Sequence, residues 1–414
     1  MKTEEDTDRK RNQGESSLKV QLAEIGNSLS RSLGQVLEAL PGAPLGTASL
    51  ARTLGVDKVL ASRVLKATRG DNPLAVLHYS PGPDPLRRIL RGASRREVPA
   101  NLISTAESAI DDFGALIRRE AGDRSALGAM ISGWIPEVRR EFELRRKQTA
   151  FRAISELKGV MANVNIGTVF LYPSDDGVHI DVIWVFGLLG LRRLRPNSGV
   201  KLTSRRFSKD EAPRLPRTLD GTPIDGLGSC RLNEFCSQPL AELEVVRAGE
   251  SVHYTLADNG FGRQSTVDLV FAEVNLHEMV RYIPADRPRK RNVFAEVATP
   301  AKLLLFDAIL HRDLVAGHDP SLHIYDTALE GVADVNDPSR DIDRMDLCET
   351  IQHMGPGISR LSAPEVPQYQ RMLRMVCDKL SWNENDFYSY RCKIDYPLYG
   401  LQVAMAWDST PPPT

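Results

Sequence analysis

A short run of polar and cationic side chains near residue 60 has the spacing of one helical face. Lys58, Val59, Ser62, Arg63 and Lys66 recur at intervals that bring them to the same side of an α-helix. Lysine and arginine neutralise phosphates and donate hydrogen bonds to guanine edges, and an apolar valine packs on a thymine methyl group. These residue types therefore support recognition of a nucleic-acid duplex.

Two short helices, joined by a tight turn, must position these side chains. The pattern predicts helices over about 47–54 and 57–68, with Gly55 supplying the backbone freedom of the turn. We expect the Thr47 hydroxyl to cap the first helix and the Asp57 carboxylate to cap the second. The apolar residues that would face inward are Leu50, Ala51, Leu54, Val56, Leu60, Ala61, Val64 and Leu65.

The stretch over about 46–66 resembles helix-turn-helix transcriptional regulators. Leu-Gly-Val at 54–56, followed by Ala-Ser-Arg-Val-Leu at 61–65, is similar to the "LGVS…VSRVL" pattern of repressor headpieces. The resemblance implies base-edge contacts from Lys58, Val59 and Arg63, and phosphate contacts from Ser62 and nearby basic residues. The candidate DNA-binding set is Lys58, Val59, Ser62, Arg63, Lys66, Thr47 and Arg52.

A long preceding helix and a following apolar segment resemble the winged-helix variant of this unit. Apolar residues recur at helical spacing over 18–40, and Leu74–Tyr79 would be a wing strand or a short packing segment. The surrounding sequence is basic. Residues 52–96 hold ten Lys and Arg against three Asp, a local charge of +7, although the whole chain carries only −1. A basic segment in a nearly neutral chain suits a regulator that leaves most DNA alone.

The composition is that of a globular protein in a reducing compartment. The 414 residues are 42% hydrophobic and 26% charged, and the five cysteines are odd in number and widely spread, which argues against a disulfide framework. The N-terminal residues are charged and lack a signal-peptide core. The most apolar run, 180–191, is too short to span a bilayer and is interpreted as a buried strand. We therefore expect a cytoplasmic protein without membrane contact.

Changes in composition divide the chain into five parts. We expect a disordered leader (1–15), a helix-turn-helix domain (16–97), a helical connector or dimerisation region (98–162), a mainly β C-terminal domain (163–408) and a disordered tail (409–414). Predicted strands alternate with turn signals such as Asp175-Asp-Gly177, and the pattern predicts one clear helix over 367–380. The predicted fold class is α+β multidomain, with mostly antiparallel strands in the C-terminal domain.

These features lead to one functional hypothesis and two alternatives. The hypothesis is a sequence-specific regulator that binds double-stranded DNA as a homodimer, with a C-terminal domain that senses a small-molecule effector or a partner. The alternatives are an enzyme with catalysis in the β-rich domain, and an assembly protein that uses the helical domain for protein contacts. No cofactor or catalytic residue is assigned. His311, His318 and His323 lie near several aspartates, but their spacing matches no standard metal site.

Overall fold

Helices occupy the first part of the chain, and strands dominate the rest. The computed structural model describes residues 2–206, 216–248, 251–257, 260–284, 286, 289–315 and 319–408, with the side chains of 2–16, 205 and 206 excepted. The predicted tail, 409–414, lies outside these residues. The chain divides into two units, Met1–Glu143 and Leu144–Thr414. The architecture is therefore α+β multidomain, in agreement with the sequence.

The first unit is helical. Its helices are α1 (Lys2–Glu38), α2 (Thr47–Leu54), α3 (Lys58–Thr68), α4 (Pro73–Tyr79), α5 (Pro83–Ser94), α6 (Ala100–Leu116), a π-helical turn (Ile117–Ala121), α7 (Arg124–Ser132) and the start of α8 (Pro136–Lys158). One apolar core is shared by residues of all these helices, from Leu22 on α1 to Val138 on α8. Each helix buries part of its surface in this core.

Three sequence expectations change in this unit. Residues 2–15, expected to be a disordered leader, begin α1. The possible wing strand, Leu74–Tyr79, is part of a helix, because Pro73 favours a first turn and the Asn72 side chain accepts a hydrogen bond from the Leu74 amide at 2.9 Å. Finally, α6 and α7, placed in a separate connector, contribute to the same core as α1–α5.

Two glycines allow helices of this unit to approach closely. A Cβ atom at Gly92 on α5 would lie 2.5 Å from the Leu54 carbonyl oxygen at the end of α2, and one at Gly26 on α1 would lie 2.2 Å from the Pro73 carbonyl oxygen. Both distances are far below van der Waals contact, and both neighbours are backbone. The end of α2 is thus held against α5 through a contact that only glycine permits.

This contact gives a stability prediction with an internal control. Gly92→Ala should lower the free energy of unfolding by about 1–3 kcal/mol, because the backbone must shift to accommodate the methyl group. Gly34→Ala on α1, where a Cβ meets nothing within 4 Å, should instead raise stability by about 0.5–1 kcal/mol through helix propensity. Urea unfolding of both variants measures this. Equal effects of the two substitutions would contradict the packing argument.

The second unit is built on strands. They are β1 (Val160–Pro173), β2 (His179–Arg193), β3 (Lys201–Arg206), β4 (Leu243–Ala248), β5 (Ser251–Leu256), β6 (Val267–Val280), β7 (Lys290–Glu296), β8 (Ala301–His311), β9 (Ser321–Asp326), β10 (Ile351–Pro356), β11 (Phe387–Asp395) and β12 (Leu401–Asp408), with helix α9 (Tyr369–Lys379) before β11. The sequence pattern missed β3 and β10. The helical connector, predicted to end at 162, ends earlier, because Gly159 takes a left-handed φ of +69° and β1 begins at Val160.

The strands of this unit form three sheets. The largest has the order β10-β11-β8-β1-β2-β6, and the others are β7-β12-β9 and β3-β5-β4. Pairing within the sheets is antiparallel except between β1 and β8, which confirms the mainly antiparallel prediction. The predicted hairpin turn at Asp175–Gly177 joins β1 to β2. One face of the large sheet packs on α9 and the other on the β7-β12-β9 sheet.

A buried polar network lies where α9 meets the large sheet. Asp307 on β8 is fully buried and receives two hydrogen bonds from the Arg391 guanidinium on β11, at 2.7 and 2.8 Å. The Tyr369 hydroxyl on α9 donates to the same carboxylate at 2.7 Å, and Thr168 on β1 lies 2.7 Å from that hydroxyl. Burial and the Asp307 charge raise the pKa of Tyr369 well above its usual range. The network fixes the first turn of α9 on the sheet.

Removal of one charge from this network should be costly. Asp307→Asn leaves the Arg391 guanidinium buried without a counter-charge, and we expect it to lower the free energy of unfolding by about 3–5 kcal/mol. The control is Glu365→Gln, because Glu365 forms an exposed pair with Lys393 on the same strand as Arg391 and should cost about 0–1 kcal/mol. Chemical denaturation of the two variants tests this difference. A loss below 1 kcal/mol for Asp307→Asn would contradict the structural role.

Candidate nucleic-acid interface

The turn between α2 and α3 has the backbone geometry that the sequence predicted. Gly55 ends α2 in the left-handed region at φ +66°, and its amide donates to the Ala51 carbonyl. The Asp57 carboxylate accepts a hydrogen bond from the Leu60 amide at 2.8 Å, which confirms the predicted cap of α3. The cap predicted for α2 is wrong. Gly46 occupies the capping position without a side-chain bond, and Thr47 is the first helical residue.

Burial divides α3 into two faces. Leu60, Ala61, Val64 and Leu65 are buried in the helical core, as predicted. On α2 the buried residues are Leu50, Ala51 and Leu54, and Val56 packs against the same core from the turn. The packing of these apolar side chains fixes the rotation of α3 about its axis.

The opposite face of α3 is exposed within the first unit. Lys58, Val59, Ser62, Arg63 and Lys66 are all exposed, and Val59 retains 70% of its surface. Of the two α2 candidates, Arg52 is exposed and Thr47 is half-buried. The structure therefore brings the sequence-predicted residues of α3 together on one surface, with an apolar side chain between cations.

Arg63 makes a contact inside its own unit. Its guanidinium donates to the Ser80 carbonyl at 3.2 Å, just after α4. Arg124 on α7 donates to the same carbonyl, and also to Leu77 and His78 at 2.7 and 2.6 Å. Burial, with a smaller effect of the Arg63 charge, lowers the pKa of Arg124 to about 10. Two arginines thus cover the C-terminal carbonyls of α4, where a positive charge is favourable.

Lys66 also has partners within the unit. Its ammonium lies 3.2 Å from the Glu141 carboxylate on α8 and 3.7 Å from the centre of the Tyr79 ring. The Tyr79 hydroxyl donates to the same carboxylate at 3.2 Å. The sequence pattern missed these partners, because Glu141 is 75 residues away and no local signal connects it to α3.

The remaining basic residues divide in the same way. Arg87 pairs with Asp84 and Asp111, and Arg96 donates to the Thr53 carbonyl at 2.9 Å. Arg88, Arg91 and Arg95 are exposed. Some of the cations behind the +7 charge of this segment therefore form contacts within the helical unit, and the exposed ones can face an anionic ligand.

The histidines that the sequence suggested as possible metal ligands lie in the second unit. His311 and His323 lie on β8 and β9, and burial lowers the pKa of each; His318 is outside the described residues. Across the described parts of the chain, no three His, Cys, Asp or Glu side chains converge as metal ligands. No described helix is long and apolar enough to cross a membrane.

A histidine–aspartate cluster at the end of the β1–β2 hairpin was missed by the sequence. His277 sits at a register shift of β6, with a left-handed φ of +54°, and its ring nitrogen lies 3.0 Å from the Asp175 carboxylate. Its amide donates to Asp181 at 2.8 Å. His179 lies 2.6 Å from Asp176. The side chains of the hairpin therefore clasp the irregular part of β6.

Opposite charges in this cluster shift two pKa values. The hydrogen bond to Asp175, supported by the charges of Asp176 and Asp181, raises the pKa of His277 above 6.5. The hydrogen bond from His179 lowers the pKa of Asp176 to about 2. The contribution of His277 to the stability of the fold is complete below pH 6.5 and is lost as pH rises through its raised pKa. The contribution of Asp176 is lost only as pH falls towards about 2.

Comparisons with known proteins supply no family. No family model matches the sequence, and no curated protein matches it. A matching solved structure, described as a "putative protease" from Parabacteroides distasonis, is 8% identical, with a TM-score of 0.24 over 61% of this chain and 41% of that one. The chain thus spans less than half the length of that protein. A likeness this low carries no argument about fold or activity.

The clasp on β6 predicts a pH dependence. Asp175→Asn should lower the pKa of His277 towards 6.5, because the strongest acceptor for the imidazolium is removed. NMR titration of the His277 ring protons measures this shift. Asp220→Asn, which removes an exposed partner of Lys379, should leave the His277 titration unchanged. A His277 pKa at or below 6.5 in the wild-type protein would contradict the assigned pairing.

Proposed function

We propose that the protein binds double-stranded DNA through α3 and regulates transcription. The observation that carries this proposal is the exposed surface of Lys58, Val59 and Ser62 on the first two turns of α3. Single exposed apolar side chains are ordinary, but Val59, 70% exposed, lies among polar donors, and together they match the mixed surface of a base edge. A base edge with a thymine methyl group would cover it.

The dimensions and residue types suit the major groove. An α-helix about 10–12 Å across fits a groove about 12 Å wide. In this arrangement Lys58 donates to guanine O6 and N7, Val59 packs on a thymine methyl group, and Ser62 bonds a phosphate. Arg52 on α2 and the exposed arginines of α5 neutralise further phosphates.

The internal contacts of two cations revise their proposed roles. The Arg63 guanidinium already bonds the Ser80 carbonyl, and Lys66 is paired with Glu141. Direct base contact by either residue would require an existing bond to be exchanged. We therefore assign base readout to Lys58 and Val59, and a longer-range electrostatic contribution to Arg63 and Lys66.

A single recognition helix reads only a few base pairs. We propose a homodimer on two half-sites as the working form, because paired half-sites multiply the specificity of one helix. The second unit would then sense a small-molecule effector or a partner. The five cysteines are all free thiols, which suits action in the cytoplasm.

Substitution of Lys58 should separate base readout from general electrostatics. On a duplex selected by the protein from random sequence, Lys58→Ala should weaken binding by about 1–3 kcal/mol, because a donor to a base edge is lost. The matched control is Lys66→Ala, which removes the same charge from a residue held by Glu141 and should cost less than about 1 kcal/mol. Fluorescence anisotropy of the full chain at several salt concentrations measures both.

Two results would contradict this proposal. One is the absence of salt-dependent duplex binding by the folded full chain. The other is a loss for Lys66→Ala equal to that for Lys58→Ala, since uniform electrostatic attraction would then explain binding without a recognition surface. Thermal unfolding of each variant shows whether any loss reflects misfolding.

A further inference from the structure

The two most exposed large apolar side chains among the described residues lie in one acidic segment of the second unit. Leu329 retains 94% of its surface and Ile342 retains 89%. Both belong to residues 326–349, which begin at the last residue of β9 and which we call the acidic lobe. This lobe contains eight Asp and Glu against two Arg, a charge of −6. Contiguous apolar surface with a polar rim marks interaction sites, whereas single exposed apolar side chains are ordinary, so the placement of the two stretches decides what these residues mean.

Buried hydrogen bonds give the acidic lobe a defined shape. The Arg340 side chain, 6% exposed, donates to the carbonyls of Gly331 and Val332 at 2.8 and 3.1 Å, and to Asp343 at 2.7 Å. Its guanidinium also lies 3.6 Å from Glu330. Leu329 and Ile342 are each adjacent in sequence to one of these carboxylates. A single buried arginine therefore joins the two stretches that carry the exposed apolar side chains.

The acidic lobe is also fastened to the sheet beneath it. The fully buried Gln402 side chain on β12 exchanges two hydrogen bonds with the Ala333 backbone, at 2.6 and 2.9 Å. Asn336 exchanges two with the Lys290 backbone on β7, at 2.6 and 3.0 Å. The lobe is thus an ordered platform, and the outward direction of Leu329 and Ile342 is part of its structure.

Charge limits what can cover this platform. Six of its acidic residues are exposed, against one exposed arginine of its own, Arg344; of the six, Asp334 is paired with Arg289 just before β7 at 2.8 Å. A nucleic acid or an anionic membrane would be repelled. A symmetric pairing of two lobes would place −6 against −6 and is also disfavoured. A purely ionic ligand would leave Leu329 and Ile342 in water.

We propose that the acidic lobe is a docking surface for a cationic, amphipathic segment of a partner protein. Apolar side chains of that segment cover Leu329 and Ile342, while its lysines and arginines face the carboxylates around them. The proposal does not depend on DNA binding by the first unit.

Designed peptides test the required chemistry directly. The probe is a fluorescent 18-residue helical peptide of Lys and Leu, and the full chain is titrated against it by anisotropy. The wild-type protein should bind this probe at least about tenfold more tightly than the Leu329→Ser/Ile342→Ser double variant, because burial of two large apolar side chains is lost. A Lys/Ser peptide of equal charge should bind both proteins weakly and equally.

The matched control is Leu157→Ser, which removes a 70% exposed leucine on α8 and should bind the probe as the wild type does. Equal binding by the double variant and the control would overturn the proposal. So would tight binding of a Glu/Leu peptide, or self-association in sedimentation that requires Leu329 and Ile342. Because both side chains are exposed, the double variant should keep the wild-type melting temperature.

Discussion

The rotational setting of α3 is the constraint on which the rest of the first unit depends. Its buried stripe, from Leu60 to Leu65, packs into the helical core, and the opposite stripe therefore faces outwards. The Asp57 cap fixes where the helix begins, and Gly55 fixes the angle at which it leaves α2. Packing and capping, rather than any property of the exposed side chains, therefore decide which residues a ligand can meet.

Electrostatic contacts refine this arrangement. A cation on the surface loses little hydration, but Arg124 is largely buried. Desolvation, with a smaller effect of the nearby Arg63 charge, therefore lowers its pKa. The cost is offset because three carbonyls at the C-terminal end of α4 need donors. Arg63 and Lys66 take part in such internal contacts, whereas Lys58 lies at the start of α3, near the solvent side of the turn. The cations of one helix thus differ in how readily they can contact a ligand.

Local signals made much of this organisation predictable from the sequence. Apolar periodicity located most helices and strands, and the Asp57 cap and the Gly55 turn follow from side-chain chemistry within a few residues. The contacts that sequence could not reveal are long-range. Glu141 pairs with Lys66, Asp307 pairs with Arg391 on the neighbouring strand, and a register shift gives His277 its position. The segment at 74–79 was ambiguous because a mainly apolar run of six residues fits either a strand or a helix.

Contact between α3 and a duplex can be measured most directly by photo-crosslinking. A benzophenone amino acid at position 59 reacts with whatever covers that exposed site, and the same group at position 157 serves as the control. We predict crosslinks from position 59 to bases of the selected duplex, and none from position 157. A folded protein that binds the duplex yet crosslinks to it from neither position, or from 157 alone, would contradict the proposed recognition surface.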